Sequence, residues 1–469
     1  MYGGRLGREV EPPMSDYDEF PAQALFDPQS VAVVGVPRGL KTGQIFLQAL
    51  LNPGFRGRIY PINPNAEEIA GLRCYPSISA LPETPDLAIL VVPTEAAVSV
   101  VGECADRGVK AAVLFTAGFS ELGTEEGRRR EAELLAAARR GITRIQGPNC
   151  MSLYVPKVGL AMLPGMPAAV GPISFVSQSG SLCGFVAGVG NTRGLAFSKV
   201  ISIGNQADLE AADFFEYLAD DPETEIITAY IEGAKNGRRL RRALAHAGRN
   251  KRLVVWKSGR TRSGARAASS HTGALSGEAQ VWSALLRQVG AIAVRDMDEM
   301  LDVLVACYYV PANAGPRVAI LTGPGGPAVS ASDAVEENGL VLAQLSTGTQ
   351  EVLRGIIPSA GTSVRNPIDM GMVVTETVEV YHRATEATAR DPNVDALVVI
   401  GGSPMGASME AYAATIAEIS QRTGTAILHA AVGGGEIFFD RAFARHGVPT
   451  FASPERALWA YARATGRQS

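Results

Sequence analysis

An excess of charge of either sign is the first thing missing. Lys and Arg number 43 against 47 Asp and Glu, a net charge of −4. That balance leaves no basic footprint for nucleic acid or for an anionic membrane surface. Cysteine is scarce, with five residues (Cys74, Cys104, Cys150, Cys183, Cys307) and no CxxC spacing. The odd count and the spacing exclude a disulfide frame and a zinc site, and predict a reducing compartment and no metal site in this chain. No apolar run approaches the length of a membrane span. The opening stretch "MYGGRLGREVEPPMSDYDEF" has no apolar signal-peptide core and carries acidic charge. It reads as a disordered tail over residues 1–20, with Met14 an alternative start. The expectation is a soluble, cytoplasmic protein.

What is present is length, apolar content and repetition. The 469 residues allow two to four domains, and 46% hydrophobic residues can fill their cores. One pattern recurs three times: a β-branched apolar run, a Gly/Ser-rich turn, then a helix-forming stretch. The copies are "SVAVVGVPRG", "GPISFVSQSGSLCG" and "RVAILTGPGGPAVS". Further apolar runs follow each, such as "DLAILVVP", "EIITAYIEG" and "DALVVIGGSP", separated by helical stretches such as "TEEGRRREAELLAAARR". Strands alternating with helices predict doubly wound parallel sheets. Gly, Pro and Asn cluster near "GPNCMSLYVPKVG" and "VPANAGPR", which places boundaries there. The predicted fold is α/β with three doubly wound parallel-sheet domains, over 21–150, 151–312 and 313–469.

The first turn supplies Gly35, Gly39 and Gly43, with Lys41 available to neutralise a phosphate. Its spacing is not GxGxxG. The next strand ends at Asn63, where a nicotinamide enzyme usually has an acid for the ribose. A nucleotide-containing ligand other than NAD is therefore favoured over a dehydrogenase. "DLAILVVP" ends in Val92, Pro93 and Thr94, and "FTAGFSE" and "GPNCMS" end on the same sheet edge, where such sheets bind ligands. In the second turn Ser177, Ser179 and Ser181 can cap a helix and Gly180 permits close approach, an anion site in outline. His271 lies in a stretch from Ser263 to Gly277 dominated by Gly, Ala and Ser. A loop of small residues could carry its imidazole to a reactive phosphate, and Glu232, ending "ITAYIEG", is typed to orient that imidazole. Cys150 with a histidine is a competing thiol-enzyme reading, against which stands the commoner role of a small buried thiol.

Taken in order, "SVAVVG", "GFRGRIYPINP", "LVVPTEAA", "FTAGFSE", "GPNC", "SFVSQSGSL", "SIGNQAD", "YIEGAKNGR", "SSHTGAL", "TGPGGPAV" and "RNPIDM" make a specific set. The chain resembles, over residues 20–469, the α subunit of NDP-forming acyl-CoA synthetases, the ADP-forming acetate–CoA ligases of the succinyl-CoA synthetase superfamily. The resemblance implies a Rossmann-type CoA-binding domain followed by two flavodoxin-like domains. It puts the phospho-accepting histidine on His271 and its orienting glutamate on Glu232. Phosphate binding falls on Ser179 and Gly180, with Gly204 and Asn205 of "SIGN" nearby. CoA contacts fall around Gly35, Lys41, Asn63, Val92, Pro93, Thr94 and Asn149. The family's ATP-grasp part has no counterpart segment here, so ATP or ADP and Mg²⁺ are expected on a partner, an ATP-grasp β subunit. Small carboxylates or acyl-CoA are the implied substrates. The turn "GVPRGLKTG" departs from the Ser/Asp-rich stretch of many relatives, and "RNPIDM" reads as a loop facing the partner. The competing class is a CoA-binding regulatory or scaffolding module, against which stands the presence of both His271 and Glu232.

Overall fold

The run SVAVV forms strand β1 (Ser30–Val34), buried at every position. In the computed structural model, which describes residues 17–39, 42–52, 54–272, 277–323, 325–359, 362–371, 378–401, 409–431 and 442–467, it is the inner strand of the first sheet. β2 (Arg58–Ile62) lies on one side of it. A two-stranded ribbon, β3 (Glu68–Ile69) and β4 (Leu72–Arg73), follows in the chain. On the other side lie β5 (Leu87–Leu90), β6 (Ala111–Leu114) and β7 (Arg144–Gln146), giving the parallel order β2-β1-β5-β6-β7. β5 and β6 are buried throughout, the reason their sequences are unbroken apolar runs and not alternations. The helix Glu125–Ala138 between β6 and β7 is capped by Thr124, whose hydroxyl accepts from Gly127 N at 3.1 Å, and has Glu125 and Glu126 in its first turn.

The second sheet repeats the plan. β8 (Leu153–Tyr154) is an antiparallel edge. β9 (Val170–Ser177), β10 (Phe197–Ser202), β11 (Ile226–Ile231), β12 (Arg252–Lys257) and β13 (Ile292–Val294) are parallel, in the order β13-β12-β11-β9-β10-β8. The third contains β14 (Arg317–Thr322), β15 (Val341–Leu342), β16 (Ile368–Asp369), β17 (Ala396–Ile400), β18 (Ala426–Ala430) and β19 (Thr450–Phe451), in the order β15-β14-β17-β18-β19 with β16 also on β14. Leaving aside the antiparallel edge strand β8, each sheet thus starts at an inner strand, steps outward once, then crosses to the other side. The crossing creates a switch point in each, where the carboxyl ends of two neighbouring strands part and leave a crevice.

Three local expectations change. Residues 17–20 are packed against the protein and are not tail. Tyr17 lies beneath Arg144 at 5.2 Å, and the Phe20 ring meets Phe214 edge-on at 5.5 Å and Tyr217 at 5.2 Å. Two aromatics in four residues give that segment surface to bury. The predicted small-residue loop around His271 is helical from Arg262 to Thr272. Ala and Arg are strong helix formers, and Thr261 Oγ1 takes the Gly264 N–H at 3.1 Å. Residues 273–276 lie outside the described residues. Finally, "RNPIDM" is a structural tie as well as a loop, since Ile368–Asp369 pairs with β14.

Candidate functional site

The carboxyl edges of β5, β6 and β7 converge with the turn after β9 around a cavity of about 600 Å³. Val91–Thr94 follow β5, Phe115–Ala117 follow β6, Asn149–Met151 follow β7, and Gln178–Ser181 come from the second sheet. Thr42 closes one side. Of the sequence-predicted residues, Val92, Pro93, Thr94, Asn149, Ser179 and Gly180 therefore share one wall. The mixed apolar and hydroxyl lining, with a helix N-terminus at one end, suits a long thiol-bearing ligand arm and an anion.

The remaining predicted residues build the walls from behind. Gly35 has φ +90°, and a Cβ there would stand 2.3 Å from Val91 O, so only glycine lets β1 and β5 part at this angle. Gly204 has φ +52°, and its Cβ would meet Pro148 O at 2.2 Å. Asn63 is engaged in its own turn, donating from Nδ2 to Val36 O at 2.7 Å and accepting from Asn65 N at 2.8 Å. Asn205 donates to Glu121 Oε2 at 2.5 Å and accepts from Asn149 Nδ2 at 3.4 Å. Asn63 and Asn205 thus do not line the cavity as expected, because their short amides satisfy nearby groups first. Lys41 lies outside the described residues.

The helix Gly180–Thr192 begins at the cavity with Ser179 at its N-cap position. Contrary to expectation, no side chain caps it. Ser179 Oγ turns to Ser181 Oγ at 3.3 Å, and Ser177 Oγ bonds Ser179 N and O. With no acid in the first turn, the positive end of the helix stays uncompensated, which favours an anion.

Glu232 follows β11 directly and is 4% exposed. Its strand neighbours β9 at the switch point, so Glu232 and the Ser179 turn share one crevice. Next to it, buried Lys257 ends β12, donates to Glu232 O at 2.8 Å and sits 5.1 Å over the Trp282 ring. Burial pulls its pKa down to about 8, against the pull of Glu232 and with that of Arg260. The backbone of His271 lies in the Arg262–Thr272 helix, which runs beside the Ser120–Leu122 turn. Its side chain lies outside those described.

Two groups that shape this crevice carry no familiar signature. Glu121 accepts from Gly118 N, Phe119 N and Asn205 Nδ2, joining the turns after β6 and β10. Gln178 joins the ends of β9 and β11, accepting from Glu232 N and from Gly233 N (3.0 Å). Both sit within quoted motifs, and a long polar side chain at a strand end was the one available signal. Cys150 lines the cavity but is buried, and burial pushes its thiol up to about 12, the wrong direction for a nucleophile.

Three family models match in chain order: a CoA binding domain over residues 29–156, a succinyl-CoA ligase like flavodoxin domain over 170–307, and a Ligase-CoA domain over 318–427. The acetate–CoA ligase [ADP-forming] II α subunit of Pyrococcus furiosus is 38% identical, covering 82% of this chain and 83% of its own length. The corresponding I α subunit is 33% identical over 93% of this chain and 95% of its own. The chain belongs to the ADP-forming acetate–CoA ligase family.

This is a family of acid–thiol ligases. Its fold is shared in solved structures: an acetyl-coenzyme A synthetase 1 from Ca. Korarchaeum cryptofilum, described as dinucleotide forming and solved with phosphate and ADP, superposes with a TM-score of 0.85. It is 32% identical over 95% of this chain and 96% of that one. Other ligases of the family are longer. The chain spans 62% of the Archaeoglobus fulgidus acetate–CoA ligase I, at 36% identity over 93% of this chain. Among the described residues no helix is long and apolar enough to cross a membrane.

Proposed function

We propose that this ligase chain is the CoA- and phosphohistidine-bearing subunit of an ADP-forming acyl-CoA synthetase. With an ATP-grasp partner subunit it interconverts acyl-CoA, phosphate and ADP with carboxylate, CoA and ATP. The observation that carries the reading is the single cavity fed by three strand ends of the first sheet and by the uncapped Gly180–Thr192 helix of the second. CoA would lie along the Val91–Thr94 and Asn149 wall, its thioester near the helix N-terminus. Phosphate held there attacks the thioester carbonyl, and the CoA thiolate leaves. The resulting acyl phosphate gives its phosphoryl group to His271, releasing carboxylate, and phospho-His271 passes the group to ADP on the partner. Helix N–H groups stabilise charge spread over the phosphoryl oxygens. Glu232, buried at the switch point, would accept from one imidazole nitrogen and leave the other nucleophilic. Nucleotide and Mg²⁺ belong to the partner in this reading.

The test uses the chain with its candidate ATP-grasp subunit, Mg²⁺ and γ-labelled ATP. Label should enter this chain, survive alkali, be lost in acid, and be absent from His271→Ala. Glu232→Gln should keep the fold and slow labelling by roughly 10²–10⁴-fold, the range for positioned acid–base groups. Label persisting in His271→Ala rejects the assignment, and CoA binding without any labelling favours the regulatory module.

A further inference from the structure

Gln178 is buried, 2% exposed, and lines the cavity beside Ser179 and Gly180. It directly follows β9, and its own N–H donates to Tyr230 O at 3.2 Å across to β11. Its side chain continues the same way, with Oε1 accepting from both Glu232 N and Gly233 N. Two N–H donors on one atom leave no doubt which end of the amide is oxygen. The Nε2 end is thereby fixed in direction, and it is buried without a hydrogen-bond partner. A buried amide nitrogen in that state is costly unless something else supplies an acceptor. The residue itself lines the cavity. There, the helix Gly180–Thr192 presents its N-terminus with neither a side-chain cap nor an acidic first turn. Two independent features, an orphaned donor and an uncompensated helix end, thus ask for the same occupant: an oxyanion.

We propose that Gln178 is a phosphate-binding residue of this ligase, donating through Nε2 to a non-bridging oxygen of the phosphate, and later of the phosphoryl group, held at Ser179 and Gly180. The proposal rests on the reading of this cavity as the phosphate site. The same side chain holds the backbone of Glu232 through Oε1, so one amide sets the anion and the predicted orienting carboxylate in a common frame.

Two substitutions separate the donor from the hold. Gln178→Glu keeps an oxygen for Glu232 N and Gly233 N but replaces the donor by a second acceptor. Gln178→Met is neutral and of similar length, and lacks both. The readouts, in the complete two-subunit enzyme, are KM for inorganic phosphate and KM for CoA, with circular dichroism and melting temperature as controls. Calorimetric titration with inorganic phosphate gives binding without turnover. Both variants should weaken phosphate by roughly 10–100-fold, the range for a hydrogen bond to a charged group, with Gln178→Glu the weaker binder. KM for CoA should rise clearly less than KM for phosphate in Gln178→Glu. Folded variants with unchanged phosphate KM overturn the proposal. So does an equal rise in both KM values in Gln178→Glu, which would mark a merely structural side chain. If the unsubstituted enzyme neither binds phosphate nor labels His271, the parent reading fails and takes this one with it. If it does both and the variants match it, Gln178 alone is wrongly assigned.

Discussion

Lys257 illustrates what a single residue adds at this crevice. It is buried, and its ammonium donates to the carbonyl oxygens of Glu232 and Ser258 and sits over the face of Trp282. Burial lowers its pKa from the ordinary 10.5 to about 8. Between those values the unfolded chain holds a proton that the folded chain has released. Stability contributed by this site therefore rises with pH across the window, and the full cost of burying the charge applies below pH 8. In Lys257→Met that dependence is gone. The stability of wild type relative to Lys257→Met should increase by on the order of 2 kcal/mol from pH 8 to pH 10.5. Urea unfolding of both proteins at stepped pH measures it, and a constant difference rejects the cause. Nothing in "LVVWKSG" announces this lysine, because its state depends on Trp282 and Glu232, both remote in sequence. His271 could be singled out as a candidate for the opposite reason. An imidazole among small residues is unusual on its local sequence alone.

At the scale of the element, composition and conformation part company twice. The stretch around His271 looked like a loop because it has little to pack, yet Ala and Arg make it helical through Thr272. "RNPIDM" looked like a loop, and Asn366 makes it a clamp. Its Oδ1 accepts from Ile320 N at 2.9 Å, and Nδ2 donates to Val318 O at 2.8 Å and Ala343 O at 3.0 Å. Those bonds join β14 to the segment after β15, beside the Ala343 N–Val318 O backbone bond. Asn366→Ala would leave Ile320 N–H without its acceptor and remove the donor at Ala343 O and one of two at Val318 O, which keeps Ala343 N, and should destabilise the third sheet by about 1–3 kcal/mol. Asn366→Asp keeps the acceptor for Ile320 N but turns a second oxygen onto Val318 O and Ala343 O, and should cost at least as much as the alanine. Chemical denaturation of both variants decides it, and an alanine variant as stable as wild type shows that the clamp carries no weight. By contrast, the strands themselves were legible. β1, β5 and β6 are buried on both faces, and two-sided burial requires the unbroken apolar runs that the sequence displays.

For the molecule as a whole, three sheets of one topology matter less than how they are joined. One apolar core runs from Val33, Ile89 and Val113 of the first sheet to Val176, Ile201 and Phe214 of the second. Another runs from Phe175 and Val186 through Leu304 to Ile320 and Leu428 of the third. Ion pairs reinforce both joints. Arg193 and Arg456 share Asp302 at the second, at 2.9 and 2.5 Å. At the first, Arg144 of β7 grips Asp208 through Nε at 2.9 Å and Nη2 at 3.0 Å, while Asp208 also accepts from Ile145 N at 2.8 Å. These joints were invisible in the sequence, since each pairs residues from separate local patterns. The cavity draws walls from both sides of the first joint, so its shape depends on Arg144 and Asp208 without either touching it. The side chains of this pair are 8% and 6% exposed. Breaking such a pair leaves a buried charge unmatched and typically costs about 3–5 kcal/mol, whereas an apolar pair of similar volume is often neutral. Asp208→Ala should therefore loosen the first sheet from the second, so that calorimetry resolves an earlier transition and CoA and phosphate binding weaken together. The double substitution Arg144→Met with Asp208→Leu should recover most of the lost stability. If Asp208→Ala melts as wild type in one transition with both ligands bound normally, the apolar core alone holds the joint and the ion pair contributes nothing to the cavity.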